Sequence, residues 1–71
     1  MKSRFGQIND QFDNGDHVSD NDLQYFIEKL ENLYASLSEL GGYPPYVLMQ
    51  RDVWKRLEAC YGYRLSRGMF P

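Results

Sequence analysis

Between Leu23 and Leu40 the apolar residues fall into two interleaved seven-residue series, Leu23, Leu30, Leu37 and Phe26, Leu33, Leu40. On an α-helix two such series, offset by three, merge into one continuous apolar stripe. A stripe that long has to be covered by other apolar surface, and a chain of 71 residues has little to spare. A domain this small buries only about 60% of the surface that its unfolded chain exposes. The pattern predicts a helical chain with more apolar surface than it can cover alone, and it favours binding over catalysis.

The signals around the stripe set the expected helix ends. Ser19 has the hydroxyl that an N-cap requires, and Asp20 and Asp22 place negative charge at the positive end of the helix dipole. Gly41-Gly42 supplies the residue that takes a left-handed C′ position without strain, so the first long helix is predicted over 19–41. Pro44 and Pro45 are tolerated in a first turn and nowhere later, which starts the second helix, over 44–62. On that helix Tyr46, Met49, Val53, Leu57 and Cys60 share one face and Trp54 and Tyr61 flank it, while Arg51, Lys55 and Glu58 point away. Gly62 ends or weakens the helix, and residues 63–71 form a tail without a period. Phe5, Ile8 and Phe12 predict a short helix over 3–13, closed by the turn signal Asp13-Asn14-Gly15-Asp16. The flanks of Asn14-Gly15 do not alternate in polarity, so a β-hairpin is not expected there. Because the link Gly41-Gly42-Tyr43 is short, the two long helices should be antiparallel neighbours. The expected fold is all-α and single-domain: an antiparallel helical hairpin with a short N-terminal helix, self-associating as a dimer.

The charge is segregated. From Asp10 to Glu39 eight acids face the single base Lys29, whereas after residue 40 Arg51, Lys55, Arg56, Arg64 and Arg67 outnumber Asp52 and Glu58. Two oppositely charged elements packed side by side account for this; two surfaces for two partners, or a head-to-tail assembly, are the alternatives.

Several function classes lose support. With one cysteine, Cys60, and one histidine, His17, neither a thiolate zinc site nor a Cys-His pair is expected, and no cofactor or metal is assigned. Asp10 to Asp22 is carboxylate-rich but fails the calcium-loop pattern: counting from Asp10, the third position is Phe12 and the twelfth Asn21. No stretch approaches the ~20 apolar residues of a membrane span, and no secretory leader is read at Met1 to Gly6. A lone thiol fits a cytoplasmic setting. His17 is expected to be an exposed loop histidine and Cys60 a buried small hydrophobe. No phosphate loop, nucleophile elbow or paired carboxylates stand out, so an enzyme is not expected.

The aromatics carry the positive signal. Tyr25, Tyr34, Tyr43, Tyr46, Trp54, Tyr61, Tyr63 and Phe70 are too many for a two-helix core, and Tyr and Trp are enriched at interface centres. The expected partner-binding surface comprises Tyr43, Tyr46, Arg51, Trp54, Lys55, Arg64, Arg67 and Phe70. Trp54 and Tyr46 anchor it, and the arginines and Lys55 steer and specify. The same aromatics beside basic residues also suit nucleotide or nucleic-acid binding through the second helix, but the basic excess is modest.

The stretch Val18-Ser19-Asp20-Asn21-Asp22-Leu23, followed by a periodic helix, a Gly-containing break and a second helix, resembles small helical-hairpin accessory proteins of tailed bacteriophages over about Asn14 to Tyr61. That resemblance implies a protein that binds a host or defence component and blocks it. The segment Ser19 to Leu23 is also similar to part of the Hha/YmoA family of nucleoid modulators, whose partner is the silencer H-NS. Gly41-Gly42-Tyr43-Pro44-Pro45 and the second helix have no counterpart there. The expected function is thus a non-enzymatic protein-binding module, an inhibitor or adaptor of phage or prophage type. Nucleic-acid binding and Hha-like modulation are the alternatives.

Overall fold

Ser3 and Ser19 each cap a helix in the same way. The Ser3 Oγ accepts from the Gly6 N–H at 3.1 Å and the Ser19 Oγ from the Asp22 N–H at 3.2 Å. A donor that would otherwise be orphaned is satisfied each time, worth about 1 kcal/mol per cap. The structure, a computed structural model, describes residues 2–69. Its elements are α1 (Arg4–Asp13), α2 (Asp20–Glu39) and α3 (Pro44–Ser66), with no strand among the described residues. The fold is all-α. Val18, just before the Ser19 cap, is buried with Leu23, one turn into α2. This pairing of an N′ residue with N4 is a hydrophobic staple, and it fixes the angle at which the chain enters α2.

The core is drawn mainly from α2 and α3. Leu23, Phe26, Ile27, Leu30 and Leu37 meet Val53, Leu57 and Cys60, with Ile8 added by α1 and Val18 by the loop. Burying each large aliphatic or aromatic side chain contributes roughly 1.5–3 kcal/mol before entropy is charged against it. Polar contacts fix the register of α2 on α3. Arg67, at the C-cap of α3, bonds Asp20; the Tyr61 hydroxyl donates to Glu31 at 2.8 Å; the Gln50 amide donates to the Ser38 hydroxyl. Positions rise along α2 as they fall along α3.

Helix α1 lies over the first half of α2 and the last half of α3. The Phe26 ring packs against Phe5 and Phe12, with centroids 5.0 and 5.6 Å away. Ion pairs tie its two ends: Arg4 to Asp22 at 3.0 Å, and Asp13 to Arg56 at 2.7 Å. The segregated charges are thereby used between elements, since the basic α3 and its cap reach the acidic front of the chain at Asp13 and Asp20. Pairs this exposed are worth between zero and about 1 kcal/mol each, so they orient α1 more than they hold it.

The leucine stripe is covered unevenly. Leu23, Leu30 and Leu37 are all buried, but in the second series only Phe26 is; Leu33 is 38% and Leu40 55% exposed. The cause is length. At 1.5 Å per residue α1 spans about 15 Å, while α2 and α3 span about 30 and 35 Å. Its cover runs out after Phe26. Met49, expected on the packed face of α3, is exposed for the same reason.

Helix α3 also runs further than the sequence signals suggest. It passes through Gly62 to Ser66, so Tyr63 to Ser66 continue the helix. The stop is Gly68, whose φ of +71° gives the left-handed C′ conformation that glycine adopts freely. A mid-helix glycine costs about 1 kcal/mol against alanine. Tyr61 bonded to Glu31 before it, and Tyr63 packed on Phe12 after it, outweigh that cost.

Candidate protein-binding surface

The first half of α3 is apolar on several sides, because its turns start on Pro44-Pro45 and carry Tyr46, Val47, Leu48 and Met49 in succession. Only one side of a helix can face α2, so the rest stays in solvent: Val47, Leu48 and Met49 are all exposed. Trp54 is 44% exposed, and its ring lies 5.6 Å from that of Tyr34 on α2. Around this pair is a shallow depression of about 190 Å³, lined by Tyr34, Val47, Gln50, Arg51, Trp54 and Lys55. Sites that enclose a small ligand run from about 300 to 1,000 Å³, so this depression suits one inserted side chain better than a bound metabolite.

The expected binding residues separate into groups. Arg51, Trp54 and Lys55 come together at the depression. The Tyr43 and Tyr46 rings meet at a tilt, with centroids 5.4 Å apart, near Gly41, Tyr43 well exposed and Tyr46 half-buried against the core. Arg64 and Arg67 sit at the far end of α3. There Arg67 is held by Asp20 at 3.0 Å, and the Arg64 guanidinium lies 5.0 Å over the Tyr61 ring, its Nε buried without an acceptor among the described residues. Phe70 lies outside the described residues. Sequence reasoning missed Tyr34, Val47 and Gln50 as parts of this surface. The signal for Val47 was present, since Val47, Trp54 and Tyr61 are spaced by seven and so share a side of α3.

The cations divide in the same way. Arg56 is paired with Asp13 and Arg67 with Asp20, whereas Arg51 and Lys55 have no acidic partner among the described residues. Two free cations at one depression make a poor phosphate track, which needs a run of several.

Other candidates resolve into structure. Cys60 is fully buried, and burial pushes its thiol up from 9.0 to about 11 although the Arg56 charge pulls the other way. A thiol in that state is an inert core group. Burial also raises the Tyr61 hydroxyl, reinforced by its bond to Glu31 and by that carboxylate's negative charge, with Arg64 opposing. His17 is exposed in the loop before α2, on the wall of a hollow of about 310 Å³ beneath the end of α1. No cluster of three or more potential metal ligands occurs among the described residues. No helix is long and apolar enough to cross a membrane among the residues described. No family model matches the chain, and no curated protein or solved structure is significantly similar to it.

Proposed function

We propose that this chain is a non-enzymatic protein-binding module, a helical hairpin whose Trp54 side docks on a host or bacterial protein in the cytoplasm. The reading is that of an inhibitor or adaptor of phage or prophage type. The observation that carries the binding surface is the half-exposed Trp54 packed at a tilt against Tyr34, flanked by the free cations Arg51 and Lys55. A rigid aromatic anchor that already has a supporting ring loses little entropy on binding, and cations at its edge select an acidic rim. The pairing of Arg56 and Arg67 with acids of the same chain favours a protein partner over nucleic acid.

The test is affinity purification of the full chain from a bacterial host, beside Trp54→Ala and Arg51→Ala. A stoichiometric protein should be retained by the wild type, and Trp54→Ala should weaken its binding by at least about tenfold with helicity unchanged. Equal retention by Trp54→Ala overturns the assignment of this surface. Loss of the bound species as salt rises through the physiological range, in proportion to cations removed, identifies a nucleic acid instead.

A further inference from the structure

The end of α1, the loop after it, the first turn of α2 and the end of α3 all border the hollow of about 310 Å³. Its volume lies at the lower end of the range for sites that enclose a small molecule, about 300–1,000 Å³. It shares no lining residue with the Trp54 depression. The apolar part of its lining is already locked. Val18 and Leu23 are buried as the staple, at 4% and 0% exposure, and Phe12 and Tyr63 hold each other edge to face at 5.3 Å. Side chains fixed in this way lose little freedom when a ligand packs on them. The polar part carries one charge of each sign. The Arg67 side chain, 24% exposed, is held by Asp20 through one N–H at 3.0 Å, and a guanidinium has further donors to offer. Asp16 has no basic partner among the described residues, and its backbone N–H is engaged by the Gln11 carbonyl at 2.9 Å, which ties it to the end of α1.

An ion of either sign gains at one of these two groups and loses at the other. A zwitterion gains at both. An α-amino acid bears its two charges at one end and its side chain at the other, which is the complement of a two-sign rim over an apolar floor. We infer that this hollow binds a free α-amino acid with a large apolar or aromatic side chain. Arg67 takes the carboxylate, since its fork matches that group's geometry. Asp16 takes the ammonium, and the side chain lies between the Phe12–Tyr63 pair and the Val18–Leu23 staple. His17, on the same wall, has ring nitrogens that can hydrogen-bond either end. Asp20 stands beside Arg67 in the adjoining open hollow, so the whole rim is net acidic. A lone carboxylate is therefore a poorer occupant than a lone amine, and the amine is the sharper control. The Trp54 surface plays no part here, so the two proposals stand or fall separately.

Titration of the full chain with L-phenylalanine, followed by amide NMR, tests this. Saturable shifts should gather at residues 15–18 and 63–67, with a dissociation constant between about 10 µM and 1 mM for a ligand of this size. Phenethylamine and 3-phenylpropionate each lack one of the two charges and should bind at least about tenfold more weakly. Asp16→Asn should weaken phenylalanine about tenfold and leave 3-phenylpropionate no weaker, because that probe has no ammonium to lose. Arg67→Gln should do the same with phenethylamine as the indifferent probe. Should Arg67→Gln unfold, Asp16→Asn decides alone, since Asp16 is exposed in a loop. No saturable shift at about 10 mM phenylalanine overturns the proposal. Phenethylamine binding as tightly as phenylalanine overturns it too, leaving an apolar amine as the occupant. So does an Asp16→Asn chain that binds phenylalanine as the wild type does. Shifts centred on Leu33 to Leu40 refute it as well, since they mark contact with exposed apolar surface away from the hollow.

Discussion

The ring of Phe12 meets that of Tyr63 edge-on, with centroids 5.3 Å apart and 80° between the planes. This pair joins α1 to the turn of α3 that lies beyond Gly62. Edge-to-face pairs contribute about 0.5–1.5 kcal/mol beyond the area they bury. Tyr63→Ala should therefore cost about 1–2 kcal/mol in denaturant unfolding and should increase amide exchange in α1 more than in α2. Uniform exchange across both helices would show that Tyr63 does not anchor α1.

Two glycines should respond in opposite directions to the same change. Gly62 has helical backbone, and a Cβ there would meet nothing within 4 Å. Gly62→Ala should raise stability by about 0.5–1 kcal/mol by reducing the freedom of the unfolded chain. Gly41 has equal room but a φ of +81°. Gly41→Ala should lower stability by about 1 kcal/mol, because a Cβ is disfavoured in that conformation. Thermal melts of the two variants check both signs.

Cys60 sets an alkaline limit. Its thiol ionises near 9.0 when free and near 11 in the fold. As pH rises, the unfolded chain loses this proton first, so stability present below pH 9 is withdrawn between pH 9 and pH 11. The full loss is on the order of 2–3 kcal/mol. Tyr61, also raised, acts with the same sign. Cys60→Ala should flatten the dependence of stability on pH between 9 and 11, while lowering stability at pH 7 by a small cavity cost. An unchanged slope would assign the alkaline loss to other groups.

The long helices were legible in the sequence because each is marked by a residue whose chemistry allows little else: Ser19 as a cap, Pro44 in a first turn, Gly41 in a left-handed one; the short helix was read from Phe5, Ile8 and Phe12, and its Ser3 cap was not. The Val18–Leu23 staple was legible too, from an apolar residue just before a serine cap, but it was not read. Gly62 misled because propensity is a weak local preference, and contacts to Glu31 and Phe12 override it. The split fate of the leucine stripe was not legible. Leu23, Leu30 and Leu37 join the core with α3, while the series begun by Phe26 falls on the side of α1, whose length runs out, and nothing within 23–40 encodes that. The grouping of Arg51, Lys55 and Trp54 follows from helical spacing alone, whereas the engagement of Arg67 depends on Asp20, 47 residues earlier.

Arg4 and Arg67 both fasten to the opening turn of α2, through Asp22 and Asp20. Segments 63 positions apart in the chain are thus stitched to one short stretch of backbone. Both extremities of the molecule are thus aligned by one three-residue anchor, through exposed pairs that set their direction and add little to their hold.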